Sequence, residues 1–136
     1  MKAIYKIYQP NQPTFRVEKG RDVYFLEDFH EVYEGEYDRK SNQKDIETLE
    51  WLFEKFNMAR PSDFKGHSLS VGDIVELKLI DEDDLDYDFE TNKLEPRIYE
   101  WSQYICCNFG WNKIDLIPEQ TYIDAADAKL YRQMNG

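Results

Sequence analysis

Apolar and polar residues alternate from Lys2 to Tyr8, with Ala3, Tyr5 and Ile7 on one side. This two-residue period predicts a strand, which Gln9-Pro10-Asn11-Gln12-Pro13 then breaks. Arg16 to Val17 and Val23 to Leu26 read as short strand pieces around Gly20, and His30 to Tyr37 as β or irregular chain bringing Val32 and Tyr33 to a turn at Gly35. The period changes at Asp45. Ile46, Leu49, Leu52, Phe53 and Phe56 recur at helical spacing, predicting a helix from Asp45 to Phe56 with Ser41, Asn42 or Asp45 as its cap. Asn57 suits its C-terminal turn, and Pro61 bars any continuation.

Pro61-Ser62-Asp63-Phe64 reads as a tight turn, Gly66 permits a close approach, and Ser70-Val71-Gly72-Asp73 leads into a buried strand from Ile74 to Ile80. Arg97 to Cys107 is the predicted return strand, the pair forming a hairpin around a long acidic tip. Phe109-Gly110-Trp111 then turns the chain into Lys113 to Ile117, closed by Pro118. A short terminal helix capped by Asp124 is expected from Asp124 to Met134. The expected fold class is α+β: a mostly antiparallel sheet, one packed amphipathic helix and a short C-terminal helix, as one domain over residues 1–136.

Composition agrees with a folded domain. Hydrophobic residues make up 41% of 136, and ten Tyr, eight Phe and three Trp supply bulk for a core that needs no metal or disulfide staple. The two cysteines, Cys106 and Cys107, are neighbours that a strand would point to opposite faces, so they read as reduced thiols. No run approaches 18 apolar residues and no signal-peptide pattern follows Met1, so a cytoplasmic protein without membrane contact is expected.

Charge changes the picture most. Seventeen Lys and Arg stand against 28 Asp and Glu, a net charge of -11 that disfavours direct contact with nucleic acid and points to a basic protein surface as partner. Between Arg21 and Arg39 lie Asp22, Glu27, Asp28, Glu31, Glu34, Glu36 and Asp38 with no Lys or Arg among them. A second base-free run holds Asp81, Glu82, Asp83, Asp84, Asp86, Asp88 and Glu90. Outside these runs the chain has fourteen acids against seventeen bases, so the excess charge is local.

In an extended segment Asp86, Asp88 and Glu90 would line one face at about 6.6 to 7 Å, close to the phosphate repeat along one DNA strand, with Tyr87 and Phe89 on the other face. Asp81, Glu82, Asp83, Asp84, Asp86, Asp88 and Glu90 are therefore the expected partner-binding acids, Tyr87 and Phe89 their anchors, and Glu31, Glu34 and Glu36 a second patch. A solvated face serving solubility, or a disordered loop, is the plainer reading of the same residues. Asp84, Asp86, Asp88, Glu90, Asn92 and Glu95 also have the spacing of an EF-hand loop, against which stand Phe89 at the glycine position and a strand where a helix should precede. His30 and His67, distant and without spaced cysteines, do not make a zinc site. His67 with Ser68 and Ser70 supplies a nucleophile and a base by sequence proximity but no third group to orient them, and Cys106 or Cys107 would make a thiol pair with His67 only across the hairpin, adjacent strand cysteines being more plainly packing residues. The plainer reading has Ser68 and Ser70 satisfying a turn, His67 bridging it to the sheet, and Leu69 and Val71 filling the core. No catalytic residue, metal or cofactor is expected, and the oligomeric state is left open.

The stretch Leu52-Phe53-Glu54-Lys55-Phe56-Asn57, followed by Arg60-Pro61-Ser62-Asp63-Phe64-Lys65-Gly66-His67-Ser68-Leu69-Ser70-Val71-Gly72-Asp73-Ile74-Val75, resembles the signature of the YodL-like domain. A second block, Tyr104-Ile105-Cys106-Cys107-Asn108-Phe109-Gly110-Trp111, resembles the family's later pattern, with Asn108 where an acid is usual and Trp111 where Phe is usual. The motif core would then span 52–111, with the Asp81 to Glu90 insert and the N-terminal acidic segment outside the motif. The resemblance implies a setting rather than a mechanism: small proteins, and pieces of polyvalent proteins, of bacterial mobile elements and phages. With the acidity, that setting leads us to expect a non-enzymatic inhibitor of a nucleic-acid-handling defence protein, of anti-CRISPR type, that mimics DNA. The alternative is an interaction domain using the Gly66 to Asp73 turn.

Overall fold

The computed structural model describes residues 1–135. Among them are seven strands, β1 (Lys2–Pro10), β2 (Val23–Phe25), β3 (Phe29–Asp38), β4 (Ile74–Asp88), β5 (Lys93–Ile98), β6 (Ser102–Cys107) and β7 (Gly110–Ile117). Two α-helices, α1 (Asp45–Met58) and α2 (Glu119–Asn135), complete the fold. The sheet runs β2-β7-β6-β4-β1-β3, with β5 pairing β4 beyond the end of β6. Every pairing is antiparallel except β2 with β7. The α+β architecture is as expected.

The alternation of β1 decides where the cores sit. Tyr5 and Ile7 face α1, whose Leu49, Leu52 and Phe56 are buried against them together with Val75 and Leu77 of β4. Burying a side chain such as Phe56 contributes roughly 1.5 to 3 kcal/mol. On the other face, Tyr24, Phe29, Ile74, Ile105, Ile114 and Leu116 form a second cluster, covered by Phe15 and Val17 of the connection after β1. Both faces are thus covered at one end of the sheet.

Several local expectations need correction. Gly35 is not a turn residue but lies within β3, because Tyr5 crosses it so closely that a Cβ there would overlap the ring. The start of α1 is capped by none of Ser41, Asn42 and Asp45; its N-cap is Lys44, without a side-chain cap. Asp45 instead receives Arg39 Nη1 at 2.5 Å and the Tyr104 hydroxyl at 2.5 Å, tying helix to sheet. Arg97 to Cys107 is not one strand: the chain breaks at Tyr99-Glu100-Trp101 into β5 and β6. Helix α2 begins at Glu119, directly after the Pro118 carbonyl that accepts the Thr121 and Tyr122 N–H groups. Asp124 is therefore not its cap but an interior residue bonded to Gln120.

Candidate functional site

The largest correction concerns the acidic run after Ile80, which is strand and not loop. β4 continues to Asp88 and pairs with β5 in the order Asp81↔Arg97, Leu85↔Pro96, Asp86↔Glu95, Tyr87↔Leu94 and Asp88↔Lys93. Glu82, Asp83 and Asp84 form a bulge between the first two pairs. On its other side β4 loses its neighbour, since β1 ends opposite Ile80. Past that point β4 and β5 form a two-stranded arm that leaves the sheet.

Cross-strand partners share a face, so the register sorts the arm's side chains. Leu85, Tyr87, Leu94, Pro96 and Ile98 fall on one face, and Asp81, Asp86, Asp88, Glu95, Lys93 and Arg97 on the other. Leu85, Tyr87, Leu94 and Ile98 are exposed, and Phe89 at the tip is 89% exposed with its ring 4.9 Å from Tyr87. The arm is amphipathic without a core beneath it.

Its acids are not equivalent. Asp84 is paired with Arg97 at 3.1 Å, Asp81 accepts the Asp83 N–H, and Asp88 accepts the Glu90 N–H at 2.8 Å to close the tip. Glu90 lies in that turn, so it does not extend the ladder of Asp86 and Asp88 as expected. Glu95 takes its place, directly opposite Asp86. Sequence spacing missed Glu95 because it comes from the returning strand. A like-charge cross-strand pair disfavours the free arm and is relieved by a cation. The EF-hand spacing of Asp84 to Glu95 is spread along this ribbon, and among the described residues no three His, Cys, Asp or Glu side chains converge as metal ligands.

The second patch lies on β3, at the sheet's edge. A register shift between Ile7 and Tyr8 places Glu31 opposite Tyr8, while Glu34 faces Lys6 and Glu36 faces Ile4, so all three share the face away from α1. They sit in a mixed-charge ladder: Glu36 is 3.0 Å from Lys2, and Lys6 and Lys78 reach over the Trp101 ring at 5.0 and 5.4 Å. Here bases meet the acids.

The Gly66 to Asp73 turn is held from inside. Buried Gln9 of β1 accepts the His67 N–H at 3.2 Å and donates to the His67 carbonyl at 2.9 Å and to Asp73 Oδ2 at 3.1 Å. The Ser70 N–H closes the turn on Asp73 Oδ2 at 2.8 Å. Asp73 is fully buried, its Oδ1 has no hydrogen-bond partner, and His67 Nε2 stands 4.0 Å away. Burial pushes the Asp73 carboxyl up to about 6, against the opposing pull of the Ser70 N–H, His67 and Gln9. His67 thus bridges the turn to β1 as expected, through Gln9. His67 Nδ1 donates to the Ser68 carbonyl and Nε2 faces Asp73, so neither nitrogen is aimed at a hydroxyl.

Leu69 fills the core, but Val71 is 49% exposed and does not. It lines a groove of about 450 Å³ with Phe53, Leu69, Cys106, Cys107 and Trp111. The two sequence blocks therefore meet across one concave surface, through the Gly72 N–H on the Cys106 carbonyl and the Cys106 N–H on the Asp73 carbonyl, each at 2.9 Å. Both cysteines are free thiols, and burial pushes Cys106 up to about 11, which keeps it protonated and unreactive at neutral pH. Among the described residues no helix is long and apolar enough to cross a membrane.

The family model of the YodL-like domain matches residues 3–92, a span that includes both acidic runs and ends before the Tyr104 to Trp111 block. No curated protein and no solved structure matches the chain.

Proposed function

The chain belongs to the YodL-like domain family, and we propose that it is a non-enzymatic binding protein that occupies a basic protein surface with its β4–β5 arm. The observation that carries this is the arm itself: acids on one face, five exposed large apolar side chains on the other and at the tip, and no core of its own. Exposed apolar surface of that kind marks an interaction site, and the acids beside it steer the encounter. Asp86 and Glu95 are the acids best placed to receive Lys or Arg, with Glu82, Asp83 and Glu90 around them; Leu85, Tyr87, Phe89 and Leu94 anchor. Nucleic-acid-handling proteins present such basic surfaces, and a defence factor of a phage or plasmid host, a CRISPR effector among them, is the target we infer from the family's setting. Inhibition by charge mimicry in the cytoplasm would follow.

The test is a pull-down from bacterial lysate at low and high salt, with an Asp86→Asn, Asp88→Asn, Glu90→Gln variant beside the wild type. Capture of a nucleic-acid-binding protein that weakens at high salt and is lost in the variant supports the reading. Capture indifferent to both returns the acids to solubility. A second reading then takes over, favoured by the meeting of Val71 with Cys107 and Trp111 in one groove; Val71→Arg would abolish binding there and leave arm-mediated binding intact.

A further inference from the structure

We propose that the arm takes its partner by strand addition: an extended segment alternating basic and apolar residues pairs with the open edge of β4 from Leu85 to Asp88. The inference rests on the reading of the arm as the binding surface and adds how recognition occurs there. It starts from hydrogen-bond direction. Next to the Ile80↔Ile98 pair the Tyr99 N–H donates to the Leu79 carbonyl at 2.9 Å, and at the tip the Asn92 N–H donates to the Asp88 carbonyl at 2.8 Å. In an antiparallel ladder residues turn their backbone groups alternately toward and away from the partner strand. The bulge resets the alternation on β4, so it is counted along unbulged β5: Tyr99, Arg97, Glu95 and Lys93 turn toward β4, and their partners Asp86 and Asp88 bond toward β5, while Leu85 and Tyr87 turn their N–H and C=O groups toward the side from which β1 is missing.

A strand seated on that side continues the sheet in line with β1, about 4.8 Å from β4. Its side chains alternate beside those of β4. One set meets Asp86 and Asp88, with Glu95 on the next strand, and the other meets Leu85 and Tyr87. Lys or Arg fits the first set and an apolar residue the second, which is the pattern strand addition uses: main-chain bonds for affinity, alternate side chains for specificity. A second copy of this arm is the wrong occupant, since its Asp86 and Asp88 would stand beside their own counterparts. The acids and the bulge guard the edge against ordinary strands. Guarding alone does not call for Leu85, Tyr87, Phe89, Leu94 and Ile98 to be exposed together.

The experiment uses the full chain and two capped eight-residue peptides of the same composition, one alternating lysine and valine, the other with four lysines followed by four valines. Binding is measured by calorimetry and amide exchange by NMR. The alternating peptide should bind about tenfold or more tighter and slow exchange at the Leu85 and Tyr87 amides of the wild type. Tyr87→Pro, which removes an outward N–H and no bond to β5, should weaken binding about tenfold beyond Tyr87→Ala. Equal binding of both peptides that disappears in Asp86→Asn, Asp88→Asn overturns strand addition and leaves the charge reading standing. Binding of neither at low salt overturns both. Self-association of the wild type that Tyr87→Pro abolishes gives the edge to a second copy and overturns the proposal.

Discussion

The two halves of β4 use the same geometry for opposite ends. From Ile74 to Ile80 the strand lies between β1 on one side and β6 then β5 on the other, with Ile74, Val75 and Leu77 buried. From Asp81 to Asp88 it has β5 alone, and its apolar side chains point at solvent. In the first half side chains stabilise the fold. In the second they are held out at strand spacing, where the main chain supplies rigidity without a core. Pairing alone thus fixes where a side chain stands, and packing decides whether the fold depends on it.

That contrast can be broken by stability measurements. Phe56→Ala, under the first half, should cost roughly 3 to 5 kcal/mol through lost burial and the cavity left behind, read by urea unfolding. A loss below 1 kcal/mol would mean that α1 does not close this core. Next comes Asp73, beside the start of β4. Its carboxyl is raised in the folded state, so the protonated form is the one folding favours. Its contribution is complete below the ordinary carboxylate range and is lost as pH rises through about 6. Stability should fall by up to roughly 3 kcal/mol from pH 4 to 7 from this group, and Asp73→Asn should flatten that part of the profile. An unchanged slope in the variant would remove Asp73 as its source.

Gly66→Ala sharpens the same side of the comparison, because a Cβ there would overlap the Gln9 amide that ties the turn to β1. A loss of roughly 1 to 3 kcal/mol is expected, with faster exchange of the Ser70 amide that Asp73 holds. The smallest effect belongs to the arm. Phe89→Ala should change stability by no more than about 0.5 kcal/mol, since the ring touches Tyr87 and little else that folding depends on. A cost above 2 kcal/mol would show the arm folded onto the body in solution and end the contrast.

Legibility followed the same division. β1 and α1 were readable because each buries one face, which imprints a period of two or 3.6 on the sequence. The arm buries neither face, and aspartates are poor strand formers, so the run after Ile80 reads as a loop. Its alternation of Asp86, Tyr87 and Asp88 does give their faces, but it stops at the turn that holds Phe89 and Glu90, and Glu95 comes only from the register. At Gly35 the sequence cannot choose, because a glycine signals a turn or a close approach alike, and only the position of Tyr5 decides between them. Glu31 reached the face of Glu34 and Glu36 through a bulge that spacing alone does not reveal. The two motif blocks announced a special backbone, but their meeting in a groove needed the β4–β6 pairing.

The central place of β1 has a consequence for the order of assembly. Lys2 pairs with Asp38 on one side and with Ile80 on the other. Closing the second pairing must bring together parts of the chain separated by the whole of α1 and the turn after it, and such non-local closure is what slows the folding of β-rich domains. During synthesis β1 can be flanked by β3 early, yet its other edge stays bare until β4 emerges. During that interval the chain exposes the alternating segment Ala3, Tyr5 and Ile7 as a template for foreign strands. Lys2 and Lys6, on the other face of β1, are the charges that stand in the way.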